Sequence, residues 1–256
     1  MRFLIRHTLL ALFAGCFGFS AFASEYDIAG LKLGMSPAQA KAALVAAGFD
    51  PKSLSESMAT YRYNDGANGH ETEAFLDRIS AYKRENRNGG RVVDTFNLVF
   101  APPPKGGHLV MIRRNISNPI DPPTVAEYRA ALTEKYGKPD VDHTSSSMWF
   151  APRGAVNCMQ IGNNVAAGTA PEAVDGIMLA VDSMTARKKI TDPSQCAIML
   201  EYRMSAVLNG PANTVRAILT DVPGWAKAYL ASQEWVEAQR QAAVKARESK
   251  ASKPKL

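Results

Sequence analysis

Two helix starts of one design, 88 positions apart, constrain this chain more than any other feature of it. Ser36 precedes Gln39 by three residues, and Thr124 precedes Glu127 by three. That spacing is the capping box, in which the hydroxyl accepts from one backbone amide and the longer side chain reaches back to another. Pro37 occupies the first helical position, where a missing N–H costs nothing. Gly48 supplies a left-handed residue to stop the first helix, and Gly137 with Pro139 stops the second. In the second helix Val125, Tyr128, Leu132 and Tyr136 mark one buried stripe.

Each helix start is followed by strand patterns. After the first, Met58–Tyr63, Leu76–Lys83, Val92–Phe100 and His108–Arg114 read as strands, separated by turn formers such as Asn64–Glu73 and Ala101–Gly107. After the second, strands are expected at Met148–Ala151, Asn157–Ile161, Gly176–Ser183 and Ala197–Leu208. With the offset of 88 held, Ala42–Leu44 falls on Ala130–Leu132 and Leu109–Ile112 on Ala197–Leu200. Good helix formers resemble one another anywhere, so the strand match carries more weight than the helix match. The expected fold class is α+β: two tandem units of a helix and four antiparallel strands, helices on one face of the sheet, with a C-terminal helical extension.

The expected boundaries are a signal peptide at 1–23, units at 24–118 and 119–209, and the extension with a basic tail at 210–256. Arg2 and Arg6 precede an apolar stretch from Thr8 to about Phe19, and Ala21-Phe22-Ala23 fits the small-x-small cleavage rule. The chain is therefore expected to be exported, periplasmic or secreted. Lipid anchoring at Cys16 is the alternative, since Phe13–Cys16 loosely resembles a lipobox. The other two cysteines, Cys158 and Cys196, are expected to form a disulfide, as an even count in an exported chain favours. In the chain-entropy model such a bridge stabilises by about 3–4 kcal/mol. The net charge of +6 sits at the ends. From Arg240 onward six basic residues face Glu248 alone, and the part before it is close to neutral once Arg2 and Arg6 are removed. The footprint of a nucleic-acid binder is thus missing from the folded part. Within the extension, Asn213–Val222 suggests a short helix interrupted at Pro223-Gly224, and Trp225 to about Ala246 a longer one anchored by Trp225, Tyr229 and Trp235. Its basic character is the one route, besides Cys16, to a membrane surface.

The stretch Gly34–Leu44, a helix and then an antiparallel sheet, resembles the fold shared by the β-lactamase inhibitor protein and the small outer-membrane assembly lipoproteins. Leu132–Pro139 followed by Trp149 is similar to the same group's second helix and strand. The resemblance spans Asp27 to Leu208 and implies tandem units joined into one sheet. It transfers no contact residue, because no position here matches a binding motif of that group.

Catalytic patterns are sparse. His70–Glu73 lacks a second His at the spacing zinc sites need. Ser80 and Lys83 match Ser-x-x-Lys, but on a strand the two side chains point to opposite faces. The expectation is therefore a non-enzymatic binding protein without cofactor or metal, its partner another envelope protein. Its recognition surface is an open sheet face with Tyr61, Tyr63, Tyr82, Trp149, Tyr202 and Arg203 as contact residues. An envelope hydrolase using acid and base groups of the His70–Glu73 loop is the alternative.

Overall fold

The computed structural model of the chain describes residues 26–87, 90–152, 159–161, 164–165, 189–190, 197–206 and 210–250. The expected signal peptide with Cys16, both Cys158 and Cys196, and the strand expected at Gly176–Ser183 lie outside the described residues.

Helix α1 spans Pro37–Ala46 and α2 spans Val125–Tyr136, each opened by the capping box read from its sequence. At α1 the Gln39 amide donates to Ser36 Oγ (3.3 Å) and the Ser36 amide to Gln39 Oε1 (2.9 Å). The helix ends at Gly48, whose φ of +85° is left-handed. The Gly48 amide returns to the Val45 carbonyl and the Phe49 amide to Leu44, a Schellman closure that also buries Phe49. A single 3-10 turn, Pro51–Ser53, leads into the sheet.

In chain order the first strands are β1 (Leu54–Ala59), β2 (Arg62–Asn64), β3 (Gly69–Glu71), β4 (Phe75–Arg87), β5 (Gly90–Phe100) and β6 (Leu109–Ser117). After α2 come β7 (Val141–Asp142), β8 (Ser146–Ala151), β9 (Met159–Ile161), β10 (Asn164–Val165), β11 (Lys189–Ile190), β12 (Ile198–Ala206) and β13 (Ala212–Asp221). Helix α3, Val222–Lys250, follows β13 directly. Eight strands form one antiparallel sheet in the order β1-β4-β5-β6-β13-β12-β8-β7. Strands β10-β9-β11 form a small separate sheet, and β2–β3 a hairpin. Counted inward from either edge of the large sheet, strands run in chain order: β1, β4, β5, β6 from one side and β7, β8, β12, β13 from the other.

Three expectations are corrected. Asn213–Val222 is not a helix; nearly all of it lies in β13, at the centre of the sheet between β6 and β12. Met159–Ile161, the described part of the strand expected at Asn157–Ile161, pairs with β10 and β11 rather than with the large sheet. The constant offset of 88 sets β6 on β12, yet β6 is fourth from its edge and β12 third from the other. The innermost strand of the second set is β13, which the offset does not reach.

Buried side chains form two clusters. One unites Ala40 and Leu44 of α1, Leu132 of α2, and Phe96, Leu98, Ile112, Trp149 and Leu219 of the sheet. The other unites Val222, Trp225, Ala226 and Ala228 of α3 with Val99, Met111, Phe150 and Ile218. Leu98 and Val99 are neighbours on β5, and adjacent strand residues point oppositely. The clusters therefore lie on opposite faces, α1 and α2 over one and α3 over part of the other. The turn into α3 is built by Asp221, whose carboxylate accepts from the Gly224 amide at 2.8 Å as an N-cap. A Cβ on Gly224 would come within 2.2 Å of that carboxylate, so any larger residue there displaces the Asp221 side chain from its cap.

Candidate functional site

The α3 face of the sheet changes character along its strands. Where α3 covers it, the face is apolar and buried. Away from α3, register and alternation place polar side chains in lateral rows. In one row Tyr82 of β4 stands opposite Thr95 of β5, Thr95 opposite Asn115 of β6, Asn115 opposite Arg216 of β13, and Arg216 opposite Arg203 of β12. In the row nearer α3, Ser80 stands opposite Asn97 and Asn97 opposite Arg113.

Short hydrogen bonds fix these groups. Ser80 Oγ donates to Asn97 Oδ1 at 2.7 Å, and Ser205 Oγ to Asn213 Oδ1 at 2.8 Å. Arg84 lies against the ring of Tyr82, its guanidinium carbon 5.3 Å from the centroid, and donates from Nε to the Tyr82 hydroxyl at 2.6 Å. This holds Tyr82 upright although it is 42% exposed. Arg203 is held by the buried carboxylate of Glu201. Thr214 and Ser205, beside it on β13 and β12, are exposed. The result is a polar, partly aromatic, accessible strip running across five strands.

The six residues singled out from sequence do not share one surface. Tyr82 and Arg203 lie in this strip. Trp149 is fully buried on the opposite face, where its indole donates to the Gly137 carbonyl at 2.8 Å. Tyr202, 9% exposed, belongs to the same cluster, its ring 6.5 Å from Trp149 and 6.2 Å from Tyr136. Both are thus packing residues under α2, and burial pushes the Tyr202 phenol well above its usual range. Aromatic residues in strands carry no mark of which face they occupy until register is known, which is why sequence grouped them. What sequence reasoning missed is the polar company of Tyr82: Thr95, Asn97 and Asn115 alternate with apolar residues, and that alternation was the available signal.

Tyr61 and Tyr63 flank a different feature, the β2–β3 hairpin. Tyr61 is half-buried and lines a depression of about 330 Å³ with Tyr229, Ser232 and Val236 of α3. Tyr63 stacks on His70, centroids 5.3 Å apart. Asp65 closes the turn: its Oδ1 accepts from the Ala67 amide (2.8 Å) and the Asn68 amide (2.7 Å), and its Oδ2 lies 3.0 Å from His70 Nε2. The Asn68 amide above all, then His70 and the Ala67 amide, hold the carboxyl of Asp65 far below the usual range. Glu71 pairs with Arg62 at 2.8 Å. His70 and Glu71, two of the side chains expected to serve a hydrolase, are therefore engaged in fastening the hairpin. Beside them Arg247 and Lys250, near the end of α3, border a shallow depression with Asp65, Asn68 and His70. Ser80 and Lys83 do point to opposite faces: Ser80 bonds Asn97 in the strip, while Lys83 pairs with Glu85 at 3.0 Å on the other side.

Among the described residues no three His, Cys, Asp or Glu side chains are grouped to hold a metal ion. Among the same residues no helix is long and apolar enough to cross a membrane. No family model, curated protein or solved structure matches the chain.

Proposed function

We propose that this chain is an exported, non-catalytic binding protein that engages another envelope protein through the polar strip opposite α1 and α2. One observation carries the reading: the α3 face is divided. Its apolar part is sealed by α3, while the part around Tyr82 is lined by hydrogen-bonded polar side chains and stays accessible. A strand surface that served only stability would be exposed and loosely held. Here Arg84 on Tyr82, Ser80 on Asn97 and Glu201 on Arg203 keep the groups in set positions, which lowers the entropy lost on binding.

Within the same proposal the fold is two tandem helix-plus-four-strand units, as the resemblance to the inhibitor group implies. The strand order that mirrors about the β6–β13 pair and the matching capping boxes of α1 and α2 support that reading. The second unit then ends at β13, and among the described residues α3 forms the extension.

Replacing Tyr82 by Asp and Thr214 by Arg changes the strip without touching either core. Envelope extract passed over the protein should yield a partner that the double variant fails to retain, with both forms equally folded by circular dichroism. Identical recovery by the two forms would contradict the assignment of the strip.

A further inference from the structure

The opposite face holds a cavity of another kind. It lies between α2 and the sheet, measures about 220 Å³, opens to solvent on one side, and has apolar walls that include Ile116 and Val215 of the sheet and Leu132 of α2. Its cause is one small residue. Ala217 of β13 stands between Arg114 of β6 and Tyr202 of β12, so two long side chains flank a methyl and leave the space above it empty. Benzene fills an apolar cavity of about 150 Å³, so this one admits a slightly larger body.

Arg114, Lys135 and Tyr128 offer hydrogens to the cavity, and among the described residues no carboxylate lines it. Tyr136 and Tyr202 line it as well, but the Tyr136 hydroxyl donates to the Asp27 carbonyl at 2.7 Å and the Tyr202 hydroxyl to that of Tyr136. Asp94 takes two of the three guanidinium nitrogens of Arg114, Nε at 3.1 Å and a terminal nitrogen at 2.8 Å. That bidentate grip, with Phe96 under the guanidinium at 5.2 Å, fixes its plane and leaves one terminal nitrogen for a ligand. Lys135 is tied at 3.0 Å to Asp27 at the rim. The Tyr128 phenol, ordinarily neutral below about pH 10 and raised further by burial, is a neutral donor at neutral pH.

We propose that this cavity binds a small organic anion, a carboxylate on an apolar body of about benzene size, with its oxygens met by Arg114 and by the hydroxyl of Tyr128. The site is separate from the polar strip, on the other side of the sheet, and does not depend on the function proposed for it.

Calorimetric titration of the purified protein with benzoate, benzyl alcohol and inorganic phosphate tests this. Benzoate should bind at one site, benzyl alcohol at least tenfold more weakly, and phosphate more weakly still. Tyr128→Phe keeps the ring volume and should weaken benzoate by about fivefold, the worth of one hydrogen bond. Ala217→Leu fills the cavity and should abolish binding. The proposal is overturned if benzoate shows no saturable binding up to about 10 mM, a limit of roughly 3 kcal/mol. It is equally overturned if benzyl alcohol or phosphate matches benzoate, or if Tyr128→Phe leaves binding unchanged.

Discussion

Asp65 spends its carboxylate on two turn amides and a histidine, and this makes the β2–β3 hairpin sensitive to acid. Its native pKa lies below the ordinary Asp value of about 3.9. The ionised form therefore stabilises the hairpin at all pH above that value. The contribution is lost as pH falls through the ordinary value towards the lower native one. Amide exchange at Ala67 and Asn68 should be slow near neutrality and accelerate in acid, while Asp65→Asn should show fast exchange throughout with no acid limb. At Gly224 the constraint is steric. The 2.2 Å between an added Cβ and the Asp221 carboxylate means that Gly224→Ala must break the cap of α3. The expected loss in urea unfolding is about 1–2 kcal/mol.

Helices α1 and α2 were legible because their ends are local chemistry. Ser36 with Gln39 and Thr124 with Glu127 do in the structure what their spacing specifies. Thr124→Ala should accordingly cost about 1 kcal/mol, measured as a shift of the urea midpoint at constant slope. Strand β13 was illegible for the complementary reason. It is central, and Ala217, Ile218, Leu219 and Thr220 are buried in succession on both faces, so the alternation that marks a half-exposed strand is gone. What remains, Val215, Ile218, Leu219 and Val222, mimics a helical stripe. The β-branched Thr214, Val215 and Thr220 were the contrary signal. Pro223 was expected to interrupt a helix and instead sits in the first turn of one, where proline is tolerated. The same limit governed the contact residues. Tyr82 and Tyr202 are both strand tyrosines, and only pairing partners tell that one faces solvent and the other lies beneath α2.

At the scale of the whole molecule, a single sheet is made two-sided by helices contributed from its beginning, middle and end. Helix α3 is the part of the chain that seals the apolar end of its face, with Trp225 at 2% exposure stacked on Tyr229. Trp225→Ala should therefore destabilise the protein by about 3–5 kcal/mol. Because the change opens that end of the sheet, it should also expose apolar surface detectable by dye binding. What α3 leaves uncovered is the strip around Tyr82, and the account stands on that strip being a recognition surface. Incorporation of a photo-crosslinking side chain in cells, at position 82 or 214 and for comparison at the equally exposed Val45 of α1, tests this most directly. The account predicts one discrete adduct of the same mass from positions 82 and 214 and none from position 45. Adducts of equal yield at all three positions, or none at 82 and 214, would contradict it.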